Sequence, residues 1–505
     1  MKKILLLMCI LVFVSGASYA QDKEKKPESV PLPVAEIATT KHSLKVNGTP
    51  VNYTANAGTM QLRDEENKPI ALFGFFGYTR DGVSDLSRRP VVFAYNGGPG
   101  SSSVWLHMGA LGPKRVVVND PEFSPAAPYR VEDNGFSLLD IADVVMIDPV
   151  GTGLSVPFGE AKFADFWGVD QDIRSISLFI RQYLVENQRL NSPKYLLGES
   201  YGTFRSAGIM DYLQEKGIAM NGVILVSTVL DMTSLFFSLA NDLPYLFFFP
   251  TYAATAWYYN KIPEKSASLT EFLDHVRAFT RDEYAPALFK GDQLPSMEKE
   301  TVAKKLAAFS GLADAYWLKA NLRVKEPEFS QELLRAEGKT IGRLDARFSG
   351  INQDLLSQFS EYDPQSSAIS PAFTTGCLDY LYNELKVNPK QNYHISAYDR
   401  KEFKWDWKHE GNVFENEQAT INTGMDMARA MSRNPYVKVL ILNGYYDIAT
   451  PFYGVEYTIN HLGLKKEIKD NIIMKYYEAG HMMYTHQPSL EKFKKDVAEF
   501  IQSTS

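Results

Sequence analysis

Ser200, Asp447 and His481 are the three residues of this 505-residue chain whose types and order could activate an alcohol. A serine hydroxyl is a weak nucleophile near neutral pH. It needs an imidazole to take its proton and a carboxylate to hold that imidazole in the right tautomer. Ser200 sits in Gly198-Glu199-Ser200-Tyr201-Gly202, after the apolar run Tyr195-Leu196-Leu197 and before a helix-compatible stretch. A strand, tight turn and helix of this kind lift the central serine out of the backbone, and the flanking glycines permit the turn. Asp447 follows the apolar run from Val437 to Leu442, and His481 follows Ile472 to Tyr477. Both are expected at the C-terminal ends of parallel strands, where open α/β sheets gather their reactive groups. Among the eight histidines, His486 is the nearest competitor, but it directly precedes Gln487-Pro488-Ser489, a helix-start signal. His481 is the better candidate base.

Acyl transfer also charges the carbonyl oxygen, so backbone N–H donors must wait for it. Tyr201, the residue after the serine, is expected to supply one. The second is expected from Asn96-Gly97-Gly98-Pro99-Gly100-Ser101-Ser102-Ser103, a glycine-rich loop after the strand-like run from Pro90 to Tyr95. A phosphate cradle is the competing reading of this loop, but neither Gly-Lys-Ser/Thr nor G-x-G-x-x-G accompanies it.

The elements that must position these groups follow the alternation of strand and helix. Val144 to Ile147 and Val223 to Val226 read as strands buried on both faces. Asp165 to Gln188 carries Ile173, Ile176, Phe179, Ile180, Tyr183 and Leu184 at helical spacing, and Leu490 to Ile501 reads as a closing amphipathic helix. From His42 to Gly82, segments such as Thr49 to Ala55, Thr59 to Arg63 and Ile70 to Tyr78 read as antiparallel strands at a sheet edge. The alternation fails between residues 231 and 393, where an insertion forming a largely helical cap or lid is expected. Residues 235–259 are dense in aromatics, including Leu243-Pro244-Tyr245-Leu246-Phe247-Phe248-Phe249-Pro250. Asn241, Asp242 and the two prolines argue against a membrane span. A substrate-facing lid and plain core packing both fit this stretch.

Residues 1–20 read as an export signal: Lys2 and Lys3, the apolar run Ile4 to Val14, then Ser18-Tyr19-Ala20 as a small-residue cleavage site. The run is shorter than a span needs, so no stable membrane anchor is expected. The two-lysine start and short apolar core suit a bacterial signal, hence a periplasmic or secreted protein. Residues 21–41, charged and proline-containing, read as a linker. Residues 42–230 and 394–505 then form the two parts of the core around the insertion. Processing would remove Cys9 and leave Cys377 alone, so no intramolecular disulfide is expected. The formal net charge of −7 becomes −9 when Lys2 and Lys3 are lost, and no basic stripe points to nucleic acid.

Asn-Gly-Gly-Pro-Gly-Ser-Ser-Ser at 96–103, Pro-Val-Gly-Thr-Gly-Leu-Ser at 149–155, Gly-Glu-Ser-Tyr-Gly at 198–202, Asn-Gly-Tyr-Tyr-Asp at 443–447 and Ala-Gly-His-Met at 479–482 resemble, in order, the motif series of the serine carboxypeptidase family. The resemblance implies an α/β-hydrolase fold with a mostly parallel central sheet, antiparallel N-terminal strands and a helical inserted cap. It implies Ser200 as nucleophile, His481 as base, Asp447 as its partner, and Gly98 and Tyr201 as oxyanion donors. It further implies that Asn96 and Glu199 bind the free C-terminal carboxylate of a peptide substrate, without metal or cofactor. Two carboxyl groups can share such a contact only if one is protonated, so peptide turnover should improve in acid. An esterase or acyltransferase would keep the triad and change the acyl donor or acceptor. A binding protein on the same scaffold would lack or displace a triad member. The chain departs from the family pattern in three places: Ala110 stands where glutamate usually precedes Leu-Gly-Pro, Ser101 replaces a cysteine, and Ile147-Asp148 replaces Asp-Gln before Pro-Val-Gly.

Overall fold

The computed structural model describes residues 34–263, 265–410 and 421–505. The signal expected at 1–20 and most of the linker expected at 21–41 lie outside the described residues. Strand pairing starts at Ile37, within that linker stretch, because residues 37–41 find partners along Thr54 to Gly58.

A ten-stranded sheet runs through the molecule. Its main strands, in chain order, are β1 (Ile37–Val46), β2 (Thr49–Arg63), β3 (Pro69–Arg80), β4 (Val91–Tyr95), β5 (Asp143–Ile147), β6 (Lys194–Glu199), β7 (Gly222–Val226), β8 (Lys438–Gly444) and β9 (Ile472–Tyr477). They lie in the order β1-β2-β3-β5-β4-β6-β7-β8-β9, with the two-residue strand Val156–Pro157 on β3. β1 pairs antiparallel with β2, β2 with β3 and β3 with β5, and the pairs from β5 onward are parallel. This is the α/β-hydrolase arrangement of mostly parallel sheet with antiparallel N-terminal strands. The two segments read separately as Thr49 to Ala55 and Thr59 to Arg63 are one long strand, since Gly58 continues the pairing opposite Phe75.

Strands β4, β5 and β7 are buried at every position, as continuous apolar runs between two helical layers must be. On one face helix α1 (Val169–Glu186) presents the periodic set from Ile173 to Leu184, and Phe179 stacks on Phe73 with ring centroids 4.9 Å apart. Helix α2 (Tyr201–Glu215) leaves directly from the end of β6. Helix α5 (Gln487–Thr504) covers the other face through Leu490, Phe493, Val497 and Ile501.

Between β7 and β8 the chain is mostly helical, including α3 (Leu243–Tyr258) and α4 (Pro364–Asp379). The aromatics of α3 pack mainly into an apolar cluster within this stretch and the loop after β8. Phe249 meets Phe279, Tyr284 and Trp317 at centroid distances of 5.8, 5.5 and 5.8 Å. Core packing therefore accounts for this aromatic run. Cys377 is free and buried in α4. Among the described residues no helix is long and apolar enough to cross a membrane.

Candidate active site

The parallel register brings the expected residues to one rim. Tyr95 pairs with Gly198, and Val226 with Glu199, so the loop after β4 and the turn after β6 emerge side by side. Ser200 has φ 60° and ψ −130°, a backbone conformation that non-glycine residues rarely adopt. The sheet holds it there: Ser200 N–H donates to the Val226 carbonyl at 2.9 Å, and Thr203 N–H closes the turn onto the Ser200 carbonyl at 2.8 Å. A Cβ on Gly198 would stand 2.1 Å from the Gly202 carbonyl oxygen, so this turn admits only glycine there.

Asp447 is fully buried. Its Oδ1 accepts from the N–H groups of Ala449 at 2.8 Å and Thr450 at 2.9 Å. Its Oδ2 accepts from Thr450 Oγ1 at 2.7 Å and pairs with His481 Nδ1 at 2.8 Å. This fixes the imidazole's orientation and leaves Nε2 as its free nitrogen. Burial by itself would lower the His481 pKa, but the charge and hydrogen bond of Asp447, with help from Glu199, raise it overall. His481 and Ser200 line the same cavity, of about 440 Å³, and Ser200 Oγ forms no hydrogen bond with the described residues. Catalytic hydrogen bonds commonly tighten only around bound substrate. His486 precedes α5 and bonds Ser489 Oγ through Nδ1 at 2.9 Å.

The glycine-rich loop packs on the serine turn. A Cβ on Gly97 would lie 2.4 Å from Tyr201 N, so Gly97 permits close approach of the two backbones. The Gly98 and Tyr201 N–H groups are not engaged by other described residues. Both Gly98 and Tyr201 line the cavity. Asp148, whose departure from the family pattern had no explanation in sequence, anchors this loop by accepting from Ser103 N–H at 2.8 Å.

Asn96 is oriented on both sides: its Oδ1 accepts from Leu106 N–H at 3.0 Å, and its Nδ2 donates to Glu199 Oε1 at 2.9 Å. Glu199 is only 3% exposed, and its Oε2 is buried without a hydrogen-bond partner. Burial, the largest influence, pushes its pKa up to about 7, with neighbouring Asp447 adding to the rise and His481 opposing it. The Tyr484 hydroxyl lies beside Glu199 and is likewise buried and without an aligned partner.

Sequence reasoning missed several supports. Arg205, fully buried, donates from Nε to Asp172 Oδ2 at 2.6 Å and from Nη1 to the Asn96 carbonyl at 2.6 Å. Asp345 accepts from Gly480 N–H at 2.9 Å and pairs with Arg347 at 2.5 Å, while Arg347 also pairs with Asp120 at 3.0 Å. The helical spacing of Arg205 on α2, facing α1, was the one available signal for the first pair. Nothing local marks the second. Thr450, three residues after Asp447, could have been suspected as a hydroxyl donor to its carboxylate.

The fold and rim define an α/β-hydrolase, and its solved likeness agrees. The structure resembles a prohormone-processing carboxypeptidase from Saccharomyces cerevisiae with a TM-score of 0.52 and 15% identity, covering 88% of this chain and 91% of that one. The serine carboxypeptidase family model matches residues 46–495, and the chain belongs to that family. Serine carboxypeptidase-like 35 of Arabidopsis thaliana is 27% identical over 212 residues, 40% of this chain and 39% of the relative. Carboxypeptidase Y of Saccharomyces cerevisiae is 28% identical over 160 residues, 31% of this chain and 27% of the relative. The matched stretches thus span about two fifths or less of these curated relatives.

Proposed function

We propose that the protein is a serine carboxypeptidase that removes C-terminal residues from peptides through a Ser200 acyl-enzyme. One observation carries the reading: a buried Glu199, bonded to Asn96 and shifted toward its protonated form, lines one cavity with Ser200 and with His481, whose imidazole Asp447 holds from behind. A neutral carboxyl and an amide N–H together suit a substrate carboxylate, which would bring the last peptide bond to Ser200.

In this reading His481 Nε2 takes the Ser200 proton as Oγ attacks the terminal peptide carbonyl, and Asp447 stabilises the imidazolium through Nδ1. The Gly98 and Tyr201 N–H groups receive the oxyanion. Collapse breaks the C–N bond, and His481 returns its proton to the departing amine. Water then attacks the ester with His481 again as base, releasing the shortened peptide. The mostly helical stretch 231–393 serves as the cap, contributing cavity residues such as Met232, Phe236, Leu344 and Ile369. The signal-like residues 1–20 support a bacterial exported enzyme, periplasmic or secreted, which N-terminal sequencing of the processed protein would test.

Mass spectrometry of a defined peptide incubated with wild type and with Ser200→Ala tests the activity. A ladder shortened from the C-terminus, absent in the variant, is expected. Internal cleavage, or an unchanged ladder in the variant, would refute the proposal. Equal rates on a blocked dipeptide and its C-terminal amide would point instead to an esterase-type site that ignores the carboxylate.

A further inference from the structure

Arg343 lies in the connection between the two strands of a short ribbon, Lys339–Ile341 and Ser349–Ile351. All four backbone polar groups of Arg343 and Leu344 are tied down. Asp363 Oδ2 accepts from their N–H groups at 2.6 and 3.0 Å. The Arg343 carbonyl accepts from Ile448 N–H at 3.1 Å, one residue past Asp447, and the Leu344 carbonyl accepts from His481 N–H at 2.7 Å. This segment is therefore built into the loops that carry Asp447 and His481.

The Arg343 side chain has no comparable restraint. It lines the catalytic cavity and makes no hydrogen bond or ion pair with the described residues. Its two nearby carboxylates are otherwise committed. Asp363 gives its oxygens to the N–H groups of Arg343, Leu344 and Ser366. Half-buried Glu326 accepts from Ser330 Oγ at 3.1 Å; the Arg343 charge reaches it and opposes the burial that raises its pKa, but the two form no direct ion pair. The cavity that Arg343 lines also has apolar walls, with Trp105, Ile369 and Trp407 among them, while Ser366 and Ser370 add hydroxyls from α4. A cation without a carboxylate partner costs little in water. It becomes a strong recognition group once a bound substrate excludes that water.

Resting on the carboxypeptidase reading, we propose that Arg343 is a specificity-determining residue that pairs with a carboxylate of the substrate inside the catalytic cavity. Two sources supply that chemistry: an acidic side chain next to the scissile bond, and the free chain terminus that Asn96 and Glu199 also address.

The test compares kcat/KM for N-benzoyl-Phe-Glu with N-benzoyl-Phe-Gln, and for N-benzoyl-Phe-Leu with its amide, in wild type, Arg343→Gln and Arg343→Glu. A side-chain contact gives a wild-type Glu/Gln ratio of about tenfold, near one in Arg343→Gln and inverted in Arg343→Glu. If Arg343→Gln instead lowers only the acid/amide ratio, the chain terminus is the partner. If neither ratio changes in either variant, the proposal is overturned. Should wild type cleave no peptide, the carboxypeptidase reading falls, and calorimetry on Ser200→Ala then decides this one. Tighter binding of N-benzoyl-Phe-Glu than of N-benzoyl-Phe-Gln, or of N-benzoyl-Phe-Leu than of its amide, lost on adding Arg343→Gln, supports it. Affinities that Arg343→Gln leaves unchanged overturn it.

Discussion

Replacing Glu199 with glutamine should widen the pH profile of peptide hydrolysis on both sides. Burial pushes the Glu199 pKa up to about 7, so below neutrality the side chain is a neutral acid able to donate to a substrate carboxylate. Above that it ionises and repels the same group. At about pH 9 only roughly one hundredth remains protonated, so kcat/KM on a free-acid peptide should fall about tenfold per pH unit in that range. Glutamine donates at every pH, which removes this alkaline limb. The substitution also deletes a negative charge that helps to raise the His481 pKa, so the acidic limb, set by deprotonation of the base, should move to lower pH. Because the two groups influence each other, the limbs belong to the pair, and their joint movement is the diagnostic feature. A second readout follows from linkage. With the folded-state pKa above the ordinary 4.5, the stability contribution of Glu199 is complete below about 4.5 and is lost as pH rises through about 7. Glu199→Gln should therefore stabilise the fold at neutral and alkaline pH by up to about 3 kcal/mol. The assay is kcat/KM for a blocked dipeptide and its C-terminal amide across about pH 4 to 10, with urea unfolding at both ends. Superimposable wild-type and variant profiles, or an identical alkaline limb on the amide, would refute the reasoning.

Three further substitutions test the supports. Thr450→Val removes the 2.7 Å hydrogen bond to Asp447 Oδ2, the oxygen that also holds His481, and should lower kcat about tenfold with little change in KM. Asp172→Asn leaves the Arg205 guanidinium buried without its counter-charge, and should cost about 3–5 kcal/mol in a denaturation curve. Gly97→Ala forces a methyl to within 2.4 Å of Tyr201 N, and a fall in kcat of about a hundredfold is expected for a displaced oxyanion donor.

What was legible in the sequence had a local cause. Strand ends preceding Asn96, Ser200, Asp447 and His481 were readable because each apolar run stops where the backbone must leave the sheet. The face of α1 was readable because burial repeats every helical turn. The anchors of the rim were not. Gly480 N–H is held by Asp345, 135 residues away, and Asp345 is held by Arg347, which reaches back to Asp120. No periodicity records such a contact, because each partner is chosen by the folded surface it meets. The aromatic run at 243–250 was ambiguous for a related reason. Apolar composition announces burial but not the surface against which burial occurs, and here that surface is mainly the aromatic cluster around Phe279, Tyr284 and Trp317.

The mostly helical stretch between β7 and β8 lines the cavity and is also bonded to the loops beside it. Its Leu344 carbonyl accepts the His481 N–H at 2.7 Å, its Arg343 carbonyl accepts the Ile448 N–H at 3.1 Å, and its Ala346 N–H donates to the Tyr446 carbonyl at 3.0 Å. Two of those bonds flank Asp447, the proposed partner, and the third holds His481, the proposed base. On the opposite side the sheet supplies Val226 to hold the strained Ser200, and α1 supplies Asp172 to neutralise Arg205 under Asn96. The serine is thus positioned by the core and the histidine jointly by core and insertion. Shortening the insertion around residues 343–346 would release the base while leaving the nucleophile in place. A lid that merely covers substrate would have no reason to be bonded to the catalytic loops this way. The hold of residues 343–346 on the Asp447 and His481 loops is carried by backbone groups, which leave no trace in side-chain identity.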